Sequence, residues 1–502
     1  MILTYSKMER DAKLNAYHHV VVVVLGDVGR SPRMQYHALS LLEHGYQVTL
    51  VGYCGEKLIP LLNDKERLTV QRFRPYMPSA FVRSKLKPLY YLIRVVELFR
   101  LLIATLFTQV STPVHCILVQ NPPSLPLLFV ASVYSYWTTS SLIIDWHNLG
   151  FSMFDKFNDT HLVPRFVKWY EASMAQFAHG HFCVTQAMQD YLGRPPFALA
   201  KATSNSTAQP VLQVLYDRPP DFFHKTTSDE RHDLMMRLKQ QFDAQSNDAC
   251  LLPCTFPLQE LAKPDRSTFL IMSSTSWTPD EDFGILLKAL LELNQLMNKS
   301  GSKELAKLAV VITGKGPQKE MYQRRIRDEL RPIFRNNITV DTLWLEASDY
   351  PLLLGCADVG ISLHTSTSGL DLPIKIYDMF GCGVPVCAIN FKCLDEVIKH
   401  QQNGLVFHSS SELAQQLYQL MSDSSTQTLQ TMQRHISKMN RWKDEWDLCA
   451  YPHIRRLCRR SDELHMHQAH RRRILAFLSL VALLIVMISV RVYNSRVNPK
   501  PI

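Results

Sequence analysis

Residues Val20–Gly52 read VVVVVLGDVGRSPRMQYHALSLLEHGYQVTLVG. Val20 to Leu25 is a six-residue aliphatic run stopped by Gly26-Asp27-Val28-Gly29. A fully apolar, β-branched run bounded by glycine marks a central parallel strand buried on both faces. Arg33 to His44 reads as a helix closed by Gly45, and Gln47 to Gly52 as the next strand. Together they predict a βαβ unit, and with it an α/β fold built on parallel sheets.

The alternation continues along the chain. His115 to Gln120, Leu142 to Asp145 and His181 to Thr185 read as strands, with Trp169 to Phe177 helical before the last. Residues 217–265 have a different texture, rich in Asp, Ser, Pro and Gln with little periodicity, and read as a linker or insertion. A second αβ series follows: strand Phe269 to Met272, helix Asp282 to Met297, strand Leu308 to Thr313, then strands at Ile338 to Thr342, Val359 to Leu363 and Pro385 to Ala388. The expected organisation is two α/β domains, 18–216 and 266–450, joined by 217–265 and facing a cleft. Doubly wound sheets bind ligands at the carboxyl ends of their strands.

Composition narrows the function. Of 502 residues, 46% are apolar and 20% charged, which excludes disorder and a multi-span membrane protein. Fifty-five Lys and Arg against 45 Asp and Glu leave a net charge of +10. Residues 451–502 hold ten of those cations and only two acids, so this tail carries +8 and the rest of the chain little. The basic charge therefore does not describe a nucleic-acid groove in the body. Within the tail, Ile474–Val490 (ILAFLSLVALLIVMISV) is a 17-residue stretch without a charge, flanked by Arg471, Arg472 and Arg473 and by Arg491. It reads as a transmembrane helix preceded by a basic juxtamembrane segment, 451–473. The arginine excess on its amino-terminal side keeps the large body cytosolic.

Leu86–Phe107 is also largely apolar, yet Arg94, Glu97 and Arg100 form one stripe at i, i+3 spacing. Such a helix suits either a membrane interface or a domain core with a snorkelling edge. Residues 1–17 are polar and mixed in charge, with no leader pattern. Eleven scattered cysteines lack the paired spacing of a zinc site and fit a reducing compartment.

Four strand-end loops concentrate the chemistry. The first holds Asp27, Gly29, Arg30 and Arg33, glycine and arginine ahead of a helix start, a pattern suited to an anion. It is neither the dinucleotide fingerprint nor a Walker loop. The second, Asp145-Trp146-His147-Asn148, offers an imidazole near a carboxylate for proton transfer, with Asn148 as a hydroxyl or phosphate ligand. The third pairs the hydroxyl cluster around Ser274 with Lys315 on the turn Gly314-Lys315-Gly316-Pro317. The fourth runs from His364 through Gly369, Leu370 and Asp371 into a helix carrying Lys375 and Asp378. Amides at such a helix start can hold phosphate, and a carboxylate one turn along can bind two ribose hydroxyls.

The stretches GDVGRSPRMQYHALSLLEHGYQVTLVGY (26–53), QNPPSLP (120–126), IIDWHN (143–148), KWYE (168–171), SSTSWTPDEDF (273–283), ITGKGP (312–317), DYPLLLGCADVGISLHTSTSGLDLP (349–373) and DMFGCGVPVCAINFKCLDEV (378–397) are quoted in chain order. Together they resemble the chitobiosyldiphosphodolichol β-1,4-mannosyltransferases over roughly Val20 to Trp446. That resemblance implies a GT-B fold, two Rossmann-like domains facing a cleft, with the nucleotide sugar held mainly by the carboxy-terminal one. The implied reaction is inverting transfer of mannose from GDP-mannose to the 4-hydroxyl of dolichyl-diphosphate chitobiose, at the cytosolic face of the endoplasmic reticulum and without a bound metal or other cofactor. It further implies that Ser274, Lys315, Gly369, Leu370, Asp371, Lys375 and Asp378 bind the donor, Asp378 standing where related enzymes place a ribose-binding Glu. Gly29, Arg30, Arg33 and Asn148 would serve acceptor or phosphate, and Asp27 and His147 remain alternative candidates for the base. Later-acting cytosolic-face mannosyltransferases are candidate partners. The chain departs from the family in carrying its apolar anchor at the carboxy terminus. A catalytically inactive, membrane-anchored GT-B scaffold is the alternative reading; the presence of Lys315, Lys375 and Asp378 speaks against it.

Overall fold

A computed structural model describes residues 15–76, 87–154, 162–200, 211–245, 261, 268–279, 281–299, 307–334, 337–366, 368–422 and 426–466. The run of valines forms β1 (His19–Asp27), followed by α1 (Pro32–Glu43), β2 (Gln47–Tyr53), β3 (Leu68–Phe73), α2 (Lys87–Thr108), β4 (Cys116–Asn121), α3 (Leu127–Thr138), β5 (Ser141–Trp146), α4 (Leu162–Ala175), β6 (Gly180–Cys183), α5 (Gln186–Leu192) and β7 (Val211–Val214). The strands lie in the order β3-β2-β1-β4-β5-β6-β7, and β1 pairs parallel with both β2 and β4. Val20 to Leu25 are all buried, as a central strand covered on both faces requires.

After α6 (Ser228–Gln245) the second sheet is built from β8 (Thr268–Ser274), α7 (Phe283–Lys299), β9 (Lys307–Thr313), α8 (Lys319–Arg325), which continues through a π-helical turn into α9 (Arg331–Phe334), β10 (Ile338–Leu343), α10 (Asp349–Gly355), β11 (Val359–Ser362), α11 (Ile374–Gly381), β12 (Val386–Ile389) and β13 (Gly404–Phe407). Its order is β10-β9-β8-β11-β12-β13, with every pair parallel. Along β8 and β9, Leu270, Met272, Ala309 and Val311 face one apolar cluster, and Ile271, Leu308, Val310 and Ile312 face the other. The chain closes with α12 (Ser410–Met421), α13 (Thr426–Ile436), α14 (Trp442–Cys449) and α15 (Tyr451–Met466).

Both sheets reverse their winding beside their first strand, the doubly wound arrangement. In the second sheet the reversal lies between β8 and β11, so the loops after these strands are where a ligand site is expected.

Two compact units emerge: residues 1–145, 173–180 and 451–502, and residues 146–172 and 181–450. The cut at 450 coincides with the sequence division, whereas no cut falls at 216 or 266. Residues 217–265, expected as a linker or insertion, hold α6. Leu234, Met235 and Leu238 are buried on one stripe of an otherwise polar helix, which periodicity averaged over the segment concealed. The basic segment expected at 451–473 is helical over its described part, Tyr451–Met466. Ile454, Leu457, Cys458 and Ser461, at i, i+3, i+4 and i+7, are buried, and Ser461 donates to the Thr139 carbonyl at 3.0 Å. The helix expected at 86–107 is α2. Among the described residues no helix is long and apolar enough to cross a membrane, and the expected span 474–490 lies outside them.

Candidate active site

The loop after β8 is drawn against the start of α11 by one carboxylate. Glu281 is buried and accepts from Lys375 Nζ at 2.6 Å, from the Ser276 N–H at 2.9 Å and from the Thr275 hydroxyl. Burial pushes the Glu281 carboxyl up, but the Lys375 charge and these hydrogen bonds outweigh it and hold it below the usual carboxylate range. Glu281 also forms an isolated antiparallel bridge with His364, joining the loop after β8 to the loop after β11.

A second chain of contacts runs beside the first. The Ser274 and Tyr350 hydroxyls lie 2.9 Å apart, and the Tyr350 hydroxyl approaches Asp378 Oδ2 at 3.5 Å. Ser274 ends β8, Tyr350 lies on α10 and Asp378 on α11. Burial, reinforced by the Asp217 carboxylate, raises the Asp378 carboxyl to about 8 against the opposing pull of Tyr350 and Lys375. At neutral pH this group is mostly protonated and able to donate as well as accept.

Lys315 sits in the neighbouring loop after β9 with Nζ 3.6 Å from the centre of the Trp344 ring, a cation–π placement. This loop is pressed against the hydroxyl cluster. Gly314 has φ +146°, and a Cβ there would overlap the Thr275 carbonyl oxygen. The buried Trp277 adopts φ +49° and donates from Nε1 to the Gly314 carbonyl at 3.2 Å. A left-handed non-glycine residue costs roughly 1–2 kcal/mol, and here ring contacts with Phe283 and Tyr322 secure it.

The third donor element differs from expectation. Rather than presenting amides outward, the 364–371 loop spends two of them on itself: Gly369 N–H donates to the Ser366 carbonyl at 3.3 Å and Leu370 N–H to the Ser368 hydroxyl at 3.2 Å. The Asp371 carboxylate accepts from Ser366 and Ser368, and the Leu370 side chain is buried. These three residues shape the loop, with Gly369 at φ +65° making its turn.

On the amino-terminal side the correction is larger. Arg33, expected at a phosphate, is 1% exposed and makes a bidentate pair with Asp145, Nε to Oδ2 at 2.7 Å and Nη2 to Oδ1 at 2.9 Å. His37 Nε2 lies 3.2 Å from the same carboxylate, so α1 is fastened to the end of β5. Asp27 accepts from the Gly29 and Glu56 N–H groups, each at 3.0 Å, and caps a short 3₁₀ turn. Gly29 is required because a Cβ would strike the Glu56 backbone, and Arg30 is exposed. Asn148 accepts from the Leu149 N–H at 2.7 Å and so caps the following turn, while His147 is half-buried. Asp27, Gly29, Arg30 and Arg33 belong to the first unit; His147, Asn148 and all the donor-side residues belong to the second.

Glu281, Tyr350 and Asp217 were missed from sequence. Only Glu281 left a signal, in the acidic triplet 280–282 just past the hydroxyl cluster. Among the described residues there is no group of three or more His, Cys, Asp or Glu able to hold a metal ion.

Residues 266–423 match the family model described as glycosyl transferases group 1. Among solved structures, Anabaena HepE in complex with UDP superposes with a TM-score of 0.52 at 16% identity, over 89% of this chain and 99% of that one. Two doubly wound sheets, with a cation and hydroxyl site at the switch point of the second, define a glycosyltransferase of the GT-B fold. Among curated proteins, the chain is 41% identical over 452 residues to human chitobiosyldiphosphodolichol beta-mannosyltransferase, covering 87% of this chain and 92% of that protein. It is 38% identical over 473 residues to an Arabidopsis thaliana protein named UDP-glycosyltransferase TURAN, covering 86% and 96%. The chain belongs to the chitobiosyldiphosphodolichol β-mannosyltransferase family.

Proposed function

We propose that the protein transfers mannose from GDP-mannose to the 4-hydroxyl of dolichyl-diphosphate chitobiose with inversion, making the first β-1,4-mannose linkage of the lipid-linked glycan. The observation that carries this reading is the 41% identity to the human β-mannosyltransferase over nearly the whole of both chains. As the glycosidic bond breaks, negative charge grows on the departing diphosphate, and fixed positive charge there lowers the barrier. Lys375, oriented by Glu281, and Lys315, oriented by Trp344, supply it without a metal. Asp378, beside Tyr350 and Ser274, takes the ribose.

The acceptor hydroxyl must lose a proton as it attacks the anomeric carbon. His147, which follows β5 and lies in the same unit as the donor-side residues, is our choice of base. The 17 uncharged residues 474–490 with their flanking arginines support an anchor in the endoplasmic reticulum membrane that leaves the catalytic body cytosolic, where later-acting mannosyltransferases are candidate partners.

The Arabidopsis relative's name and the UDP bound to HepE favour a second reading, a UDP-sugar donor. The deciding assay uses detergent-extracted protein, phytanyl- or dolichyl-diphosphate chitobiose and GDP-[¹⁴C]mannose, with and without EDTA, in parallel with UDP-sugars. A β-linked, EDTA-resistant trisaccharide lipid formed only from GDP-mannose is expected. Product only from a UDP-sugar would replace the donor, and no product from folded protein would replace the enzyme with a scaffold.

A further inference from the structure

The 364–371 loop, which the proposed reaction assigns to the donor, is held from outside at two consecutive carbonyls. Thr185, wholly buried, donates its hydroxyl to the Leu370 carbonyl, and Cys393 donates from Sγ to the Asp371 carbonyl at 3.5 Å. Both anchors lead back to one carboxylate. Glu396 ends the turn that Cys393 begins, its N–H donating to the Cys393 carbonyl at 3.1 Å. Its two side-chain oxygens accept from the Gln186 and Ala187 N–H groups, each at 2.7 Å, across 210 and 209 residues of chain.

Those two amides open α5, and the next one, of Met188, donates to the Thr185 hydroxyl at 3.0 Å. The first three N–H groups of the helix, which no intrahelical carbonyl can serve, are therefore all satisfied. Two of the three bonds run to a carboxylate, and such charge-assisted bonds are about twice as strong as neutral ones. At seven residues α5 is far below the length at which a helix holds by itself in water. Its start, and with it the Thr185 hydroxyl, is set by Glu396.

A second route leads from the same carboxylate to α11. The Tyr216 hydroxyl donates to Glu396 Oε2 at 3.1 Å. The Arg218 guanidinium lies 5.0 Å from the centre of the Tyr216 ring and 5.6 Å from that of Tyr377, a cation shared by two aromatic faces. Tyr377 is the buried neighbour of Asp378 on α11. All of these residues belong to the second unit. We propose that Glu396 is a positioning residue of the nucleotide-sugar site, acting through Thr185 on Leu370 and through Tyr216 and Arg218 on α11. The role rests on the assignment of 364–378 to the donor. A cap that served folding alone would change the melting temperature and leave the nucleotide affinity of the folded protein untouched, so affinity separates the two roles.

The full chain, extracted in detergent, is titrated with GDP by calorimetry, and a melting curve checks that each variant is folded. Thr185→Val keeps the shape of the side chain and removes the hydroxyl. It should raise the GDP Kd about tenfold, the cost of leaving a buried carbonyl without its donor, whereas Thr185→Ser should bind as the wild type does. Glu396→Gln sets a side-chain NH2 against a backbone N–H and should weaken GDP at least as much as Thr185→Val. Because Glu396 acts in part through Thr185, the double variant should bind no more weakly than Glu396→Gln alone. An unchanged Kd in Thr185→Val overturns the proposal, as does an equal loss in Thr185→Ser, or a double-variant loss equal to the product of the single losses. A wild type that binds UDP in place of GDP would refute the proposed donor, while the same pattern of losses read with UDP would uphold the positioning role.

Discussion

Lys375 and Glu281 meet at 2.6 Å across 94 residues of chain, Lys375 partly open and Glu281 almost wholly buried. Their pairing ties the loop after β8 to the first turn of α11, so the cation proposed for a leaving diphosphate is also a structural link. Lys375→Ala should lower kcat/KM about 100-fold, in the range found for removing one preorganised stabilising donor. It should also lower the melting temperature, because it strands a buried carboxylate. Adding Glu281→Gln should recover part of that stability but none of the activity. Additive losses in melting temperature would show that the two residues do not depend on each other.

Asp378 has a carboxyl raised to about 8 from an ordinary value near 3.8, by burial and then by Asp217. Its folded form therefore holds a proton that the unfolded chain has already released above pH ~4, and stability must decline as pH climbs from 4 through 8. Asp378→Asn removes that slope. Melting temperatures of the two proteins from pH 5 to 9 should diverge, with the variant gaining on the wild type toward alkaline pH while its turnover is strongly reduced. Parallel curves would mean that Asp378 is ionised throughout.

Arg33 should behave as a stability residue and not as an anion ligand. Arg33→Met leaves Asp145 buried without its bidentate partner, a loss of roughly 3–5 kcal/mol for a broken buried pair. Denaturant titration should show that loss, while the folded fraction keeps an acceptor KM close to wild type. A normal midpoint with a sharply raised KM would return Arg33 to the binding site.

Two glycines with positive φ make a controlled comparison. Gly383 (φ +70°) has open space where a Cβ would go, so Gly383→Ala costs only about 1–2 kcal/mol of backbone strain and should leave the kinetics alone. Gly314→Ala must displace the Thr275 carbonyl and with it the loop that carries Ser274, and should raise the donor KM more than tenfold. Equal effects from the two substitutions would dissociate the 314–316 turn from the donor site.

The architecture was readable because it is encoded locally. Val20 to Leu25 can only be a two-sided buried strand, and the second αβ series repeats that texture, so both sheets follow from short windows of sequence. Helices α6 and α15 were not legible for the opposite reason: a narrow apolar stripe, Leu234 to Leu238 or Ile454 to Ser461, is outweighed in composition by the polar face around it. The candidate site divides along the same line. Lysines and hydroxyls at strand ends are visible as residue types, so Ser274, Lys315, Lys375 and Asp378 could be named.

What each charge is paired with depends on which strands become neighbours. Strand order brings the loop after β8 beside the loop after β11, and only then can Glu281 claim Lys375 and Tyr350 stand between Ser274 and Asp378. The same holds for Arg33, whose guanidinium looks like an anion ligand until α1 is laid against the end of β5 and Asp145 takes it. Sequence by itself determined the elements and the chemistry available at their ends. The tertiary structure decided which of those groups neutralise one another, because a charge buried by folding needs a partner that the local sequence does not supply.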